Sequence, residues 1–216
     1  MTTSDSKTIR RGRPPRSKQQ AKESRQLIIS AARKFFAEEG YRGVSMRKIA
    51  ALAQCSPAAL YKLFPGKQQL LLYIWEEILV QLAERLEACQ REVSRLERLE
   101  AMTLAFIDFW LSRPDDYRAI FLIEDPLQAE GGGYFVESAV VQRCLGVFHE
   151  AIAEAQADGA LGAGSPTEKL SVLLCGMQGL AMNLITIPEY PWGDPARLKH
   201  ATVRALLAGL KQNECT

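Results

Sequence analysis

The sequence predicts an all-α chain in two unequal parts: a small N-terminal set of three helices and a larger helical bundle behind it. Apolar residues recur at helical spacing, and no stretch alternates convincingly as a strand would. Serine, aspartate, proline and glycine fall where helix ends need them. The charge is also sorted. Residues 1–67 hold 15 Lys+Arg against 4 Asp+Glu, so the net charge of +2 hides a basic front and an acidic rear. That asymmetry points to a polyanion bound by the first part only.

Residues 1–21 carry no apolar pattern and read as a disordered basic arm. The first helix is expected over Ser24 to Glu39. Its stripe is Ile28, Ala32 and Phe35, with Leu27, Ala31 and Phe36 beside it, and Gly40 ends it. Ser45 is a good N-cap for a second helix, with Val44 and Ile49 at staple positions. Met46, Ile49, Ala50 and Ala53 form its buried face. Gln54 and Cys55 make a tight turn. Ser56 caps a third helix with Pro57 at its first position, and Leu60, Leu63 and Phe64 are expected to face inward.

Pro65-Gly66 breaks the chain before a long fourth helix, from near Lys67 to about Ala88. This helix is apolar almost all round over residues 70–75 and reads as buried between neighbours. A domain boundary is placed within it, giving 22–82 as a DNA-binding domain and 83–216 as a helical-bundle ligand-binding and dimerisation domain. Further on, Leu96, Leu99, Thr103, Phe106 and Trp110 share one stripe. Pro114-Asp115-Asp116 starts a short helix reaching about Ile123. Gly131 to Gly133 form a loop, and a helix is expected from about Tyr134 to Ala157. Ser165-Pro166-Thr167-Glu168 is a capping-box sequence opening a helix over 166–187, and Asp194-Pro195 opens the last, ending near Leu210.

Two short capped helices joined by a turn describe a helix-turn-helix, here 45–64, whose second helix would enter the major groove. The outward residues of that helix are Pro57, Ala58, Ala59, Tyr61 and Lys62. Small residues at its start let the helix backbone approach DNA closely. Tyr61 and Lys62 can reach phosphates, and Ser45, Ser56 and Lys67 sit at helix N-termini where backbone N–H groups favour anions. On periodicity alone, an αα corner of a helical bundle fits nearly as well.

The stretch Gly40-Tyr41-Arg42-Gly43-Val44-Ser45-Met46-Arg47-Lys48-Ile49-Ala50, followed by Ser56-Pro57-Ala58-Ala59-Leu60-Tyr61-Lys62-Leu63-Phe64 and Lys67-Gln68-Gln69-Leu70, resembles the TetR family of bacterial regulators at the family's spacing. The resemblance covers about residues 22–82. It implies three DNA-binding helices before a helical dimerisation and ligand domain, with DNA contacts at Met46, Ser56, Pro57, Ala58, Tyr61, Lys62 and Lys67. The chain departs from the family at three places. Gln54 stands where the family's turn has glycine, Cys55 where an aliphatic residue is usual, and Leu63 where an aromatic or histidine is common.

Residues 7–18 hold six basic and no acidic residues. Arg11-Gly12-Arg13-Pro14 resembles an AT-hook, in which Arg11 and Arg13 would enter a narrow A·T-rich minor groove. The other reading is a basic tail held by phosphates alone. In the rear part, Phe106, Trp110, Tyr117, Phe121 and Met177 are candidates to line an apolar effector pocket, although each also reads as plain core. Gly176 and Gly179 would permit close helix approach and suit a dimer interface.

The five cysteines are scattered and show no CxxC spacing, and the two histidines form no cluster, so neither a disulfide framework nor a metal site is legible. No phosphate loop or nucleophile–base pair suggests an enzyme, and no cofactor is implied. The uncharged run Leu170–Ile187 reaches membrane-spanning length, but Ser171, Gln178, Asn183 and flanking prolines favour a buried helix. The N-terminus is polar rather than signal-like. The expected protein is a cytoplasmic homodimer, nucleoid-associated when DNA-bound. It would act as a sequence-specific transcriptional regulator, a repressor leaving its operator when an unidentified small molecule binds. The rival is a DNA-organising or cell-division protein of the same fold.

Overall fold

The computed structural model describes residues 18–89, 94–122 and 137–211, apart from the side chains of Lys18 and Ala21. Among these residues there are nine helices and no strands: α1 Lys18–Gly43, α2 Met46–Leu52, α3 Pro57–Leu63, α4 Lys67–Glu87, α5 Arg95–Leu111, α6 Pro114–Phe121, α7 Ala139–Ala157, α8 Pro166–Thr186 and α9 Pro195–Leu210. The basic arm with Arg11 and Arg13, the glycine loop and the expected helix start at Tyr134 lie outside the described residues.

The helix ends are where capping chemistry puts them. Ser56, Ser138, Ser165 and Asp194 each accept a backbone N–H of the first turn they open, a contribution of about 1 kcal/mol apiece. Ser94 and Glu97 form a reciprocal capping box on α5. The Ser94 hydroxyl and backbone N–H both donate to Glu97 Oε2, and those bonds hold this carboxyl below its usual range. Gly40 interrupts α1 with φ 64, which only glycine adopts without strain. The regular helix thus stops at Glu39 as expected, although its start lies six residues earlier than the stripe suggested.

Several expected core positions are corrected. Ile28, Ala31, Ala32 and Phe36 are buried, but Leu27 is 57% exposed and Ile29 takes its place. The inward arc of α1 is centred one residue later than the stripe implied, and Phe35 is only partly buried. Leu63 is also exposed, because Leu60 and Phe64, one turn apart, occupy the inward line of α3 and Leu63 falls beside it. Leu72 is partly exposed on α4, which is therefore not buried all round.

α4 runs unbroken through position 82 and packs on α1, α5 and α7. Helices α5, α7, α8 and α9 form the rear bundle, with α6 wedged between α5 and α1. Buried residues from Ile28 to Leu210 form one continuous core. α8 is long and apolar enough to cross a membrane by length and composition alone. Its Leu173, Met177, Ala181 and Ile185 are buried, and it packs on α5, α7 and α9.

Candidate nucleic-acid interface

The front of the molecule is a scaffold with one side facing its core and the other left to solvent. Met46, Ile49, Ala50, Ala53, Leu60 and Phe64 are buried where α2 packs on α1 and α3 on α2, and the Phe64 ring lies 5.5 Å from that of Tyr73 on α4. The turn between α2 and α3 closes through Gln54 N–H to Ala51 O (3.1 Å) and Cys55 N–H to Ala50 O (2.9 Å). Gln54 takes φ 51, the one positive value at a non-glycine among the described residues. It adopts the left-handed conformation that a glycine would supply without strain.

The recognition helix α3 begins at Ser56, whose Oγ accepts the Ala59 N–H at 3.2 Å. Pro57, Ala58 and Lys62 are exposed, and Tyr61 is 47% exposed. These four expected contact residues share the solvent side of one helix with no apolar side chain buried over them. Ser45 is half-buried, and its hydroxyl makes no capping bond.

Two expected contacts change character. Met46 is 7% exposed, so its side chain belongs to the core and cannot read DNA. The contact implied by the family resemblance gives way to the buried face that periodicity predicts through 46, 49, 50 and 53. Lys67 is half-buried and already engaged. Its Nζ donates to Tyr41 O at 2.9 Å and lies 4.2 Å from the Tyr41 ring centroid. It fastens the start of α4 to the end of α1, and its remaining N–H bonds are what it could offer a phosphate.

Sequence reasoning passed over other basic groups. Arg42 and Arg47 are exposed on elements flanking α3, and the pattern of a connector or a short helix gave no reason to single them out. Arg25 lies 4.2 Å from the Tyr73 ring centroid and 5.5 Å from that of Phe64, bracing α1 against α4 and the end of α3. Such cation–π contacts join residues far apart in sequence and have no local signature.

Behind the front, four of the five candidate effector residues come together. Trp110 packs edge-on against Phe106 (6.2 Å), Tyr117 (5.7 Å) and Phe121 (5.1 Å), and Tyr117 lies 4.8 Å from Phe121. Met177 is fully buried. The Tyr117 hydroxyl bonds to Gln178 Oε1 at 3.0 Å, and burial pushes its pKa up to about 12, so it remains a neutral donor. Trp110 Nε1 is buried with no acceptor. The cluster is packed in the structure, so a ligand entering it must separate rings now in contact.

A short helix-turn-helix held on a long connecting helix, with small and polar side chains outward on the second helix, defines a DNA-reading protein of the helix-turn-helix class. Residues 28–74, from α1 to the first turns of α4, match the family model described as "Bacterial regulatory proteins, tetR family". The front of the chain is therefore similar to the DNA-binding part of that family. It is 45% identical over 51 residues to YuxN, an uncharacterized HTH-type transcriptional regulator of Bacillus subtilis; the match spans 24% of this chain and 18% of that protein. The whole fold resembles the fatty acid degradation regulator FadR from Bacillus halodurans, with TM-score 0.74 and 16% identity over 88% of this chain and 97% of that one. NalD, the secondary repressor of the MexAB-OprM multidrug efflux pump in Pseudomonas aeruginosa, gives TM-score 0.69 and 22% identity over 89% and 98%. AibR, solved with isovaleryl coenzyme A and operator DNA, gives TM-score 0.65 and 21% identity over 85% and 98%. At these identities the likeness to solved structures concerns the fold.

Proposed function

We propose that this protein is a homodimeric repressor that leaves its operator when a small molecule enters its rear domain. The observation that carries the DNA-reading half is the exposed face of α3, where Pro57, Ala58, Tyr61 and Lys62 lie outward on a buried scaffold. Residues 22–82 act as the reading domain and 83–216 as the sensing and dimer-forming domain, in a cytoplasmic protein that meets the nucleoid through its operators. Pro57 and Ala58 let the helix start lie close to the groove, Tyr61 and Lys62 reach phosphates, and Ser45 and Ser56 present helix starts to them. Arg11 and Arg13 extend the footprint into a neighbouring A·T-rich minor groove.

α8 and α9 pair with their copies to form the dimer. Val172 (48% exposed) and Met182 (43% exposed), on the uncharged stretch of α8 that follows Lys169, support this reading. The effector is an apolar, uncharged molecule bearing a hydrogen-bond acceptor. It would spread Phe106, Trp110, Tyr117, Phe121 and Met177, and it would supply the acceptor that the Trp110 N–H lacks. The fold shared with a protein crystallised with both a coenzyme A thioester and operator DNA is in keeping with that division of labour.

The test is DNA affinity against salt concentration for the wild type and for Tyr61→Ala and Lys62→Ala. Both side chains are exposed, so folding should be unchanged. Loss of either phosphate contact should weaken binding to every duplex, and Lys62→Ala, which removes a charge, should also reduce the salt slope by about one while Tyr61→Ala leaves it unchanged. Wild-type affinity and slope in both variants would place the DNA surface elsewhere.

A further inference from the structure

Three helices meet behind the reading head through charge. Arg33 on α1 sends Nη2 to Glu77 Oε2 of α4 at 3.2 Å, and its Nε lies 3.5 Å from Asp116 Oδ1 of α6. Arg113, the N-cap of α6, places Nη1 3.6 Å from Asp116 Oδ2 and donates from Nη2 to Gln81 Oε1 of α4 at 2.8 Å. Asp116 is 8% exposed. A carboxylate so placed is costly unless paired, and here a guanidinium lies within ion-pair distance of each of its two oxygens. Beside them a cleft of about 460 Å³ opens between α1 and the α5–α6 turn, lined by Ser30, Lys34 and Ser112 as well as these groups. At this edge, beside the direct packing of α6 on α1, the joint is closed by ion pairs.

The same short helix is bonded on its other side to the bundle. Tyr117 holds Gln178 of α8, and Arg118 Nη2 donates to Ile185 O of α8 at 2.8 Å. Trp75 Nε1 of α4 donates to Ala119 O at 2.8 Å, a tie that persists if the charges are removed. α6 thus links α8, which carries the proposed dimer face, to α1, which carries the reading head.

We infer that Asp116 is a positioning residue for DNA reading: through Arg33 it fixes the angle between α1 and the dimer-forming body, and so sets the half-site spacing the dimer accepts. This rests on the dimeric reading proposed above. Spacing is a stringent ruler. One added base pair moves the second half-site by about 3.4 Å and turns it by about 34–36°, so a head held at one angle rejects it and a loosened head tolerates it.

The experiment uses the full chain. Duplexes selected by the wild type from a random pool are rebuilt with one or two base pairs added or removed between half-sites. Affinities are then measured for the wild type, Asp116→Asn, Arg33→Met and Arg33→Met/Asp116→Asn. The double variant strands neither charge of the pair, and melting curves show that each protein is folded. The wild type should lose tenfold or more per base pair, and each variant threefold or less. Binding to unrelated duplex should be unchanged, and the double variant should resemble the singles because one contact is lost in each. Folded variants that keep the wild-type spacing penalty overturn the proposal. So does a loss equal at every spacing and on unrelated duplex, which marks a purely structural role. A wild type without spacing preference refutes the dimeric reading itself, a result distinct from steep penalties in every protein.

Discussion

Replacing Gln54 by glycine should stabilise the protein, because the turn that aims α3 asks for a conformation an L-residue adopts at a cost. With φ at 51 the residue lies in the left-handed region, where the penalty for a side chain with Cβ is roughly 1–2 kcal/mol. Glycine removes that penalty but gives the unfolded chain more freedom, returning about 0.4–1 kcal/mol. The Gln54 side chain is exposed, so little packing is lost. The net expectation is a gain of about 0.5–1 kcal/mol, which for a chain of this size corresponds to roughly 1–4 °C in Tm. Gln54→Ala keeps the left-handed cost and should lie within about a degree of wild type. Thermal and urea unfolding of the three proteins provide the measurement, with operator affinity as a check that the turn still aims α3. A Gln54→Gly protein that melts at or below the wild type would show that the left-handed turn carries no strain, and the argument would fail.

Gly176 should not tolerate alanine, since a Cβ there would lie 2.4 Å from Leu206 Cδ1. Overpacking of this kind costs about 1–3 kcal/mol, and Gly176→Ala combined with Leu206→Ala should recover part of it in a denaturation cycle. Stability should also fall in alkali. Burial pushes the Cys144 thiol up to about 11 and the Tyr117 phenol to about 12. Both groups hold their protons longer folded than unfolded, so their contribution is intact below about pH 9 and declines as pH climbs toward 11–12. At pH 8 iodoacetamide should spare Cys144 in the folded protein and label it after unfolding in urea, and equal labelling in both states would contradict the burial of α7 against α4.

The order and ends of the helices were legible because caps and breakers act over three or four residues. Ser56-Pro57, Ser165-Pro166 and Asp194-Pro195 each specify a start by themselves. Ser94 and Glu97 carry the same information and were passed over, although S-x-x-E was there to read. The outward side of α3 was legible too, except at its last residue, Leu63. Positions one step either side of a burial boundary are where sequence periodicity fails, as at Leu27, whereas periodicity places Met46 in the core and only the family resemblance puts it on DNA. Tertiary partners were beyond reach. Nothing near Lys67 announces the Tyr41 carbonyl, and nothing near Arg33 announces Asp116 eighty-three residues later. Gly176 was read as a place of close approach, and it is one, but the neighbour in the structure is Leu206 of the same chain.

The central claim is that the exposed side of α3 reads a defined DNA sequence as one of a pair. The most direct measurement is selection of duplexes from a random pool by the full-length protein, followed by the mass of the complex on the enriched sequence. The account predicts an inverted repeat with half-sites one or one and a half turns apart, bound by two chains. No enriched sequence, or a lone half-site bound by one chain, would contradict it.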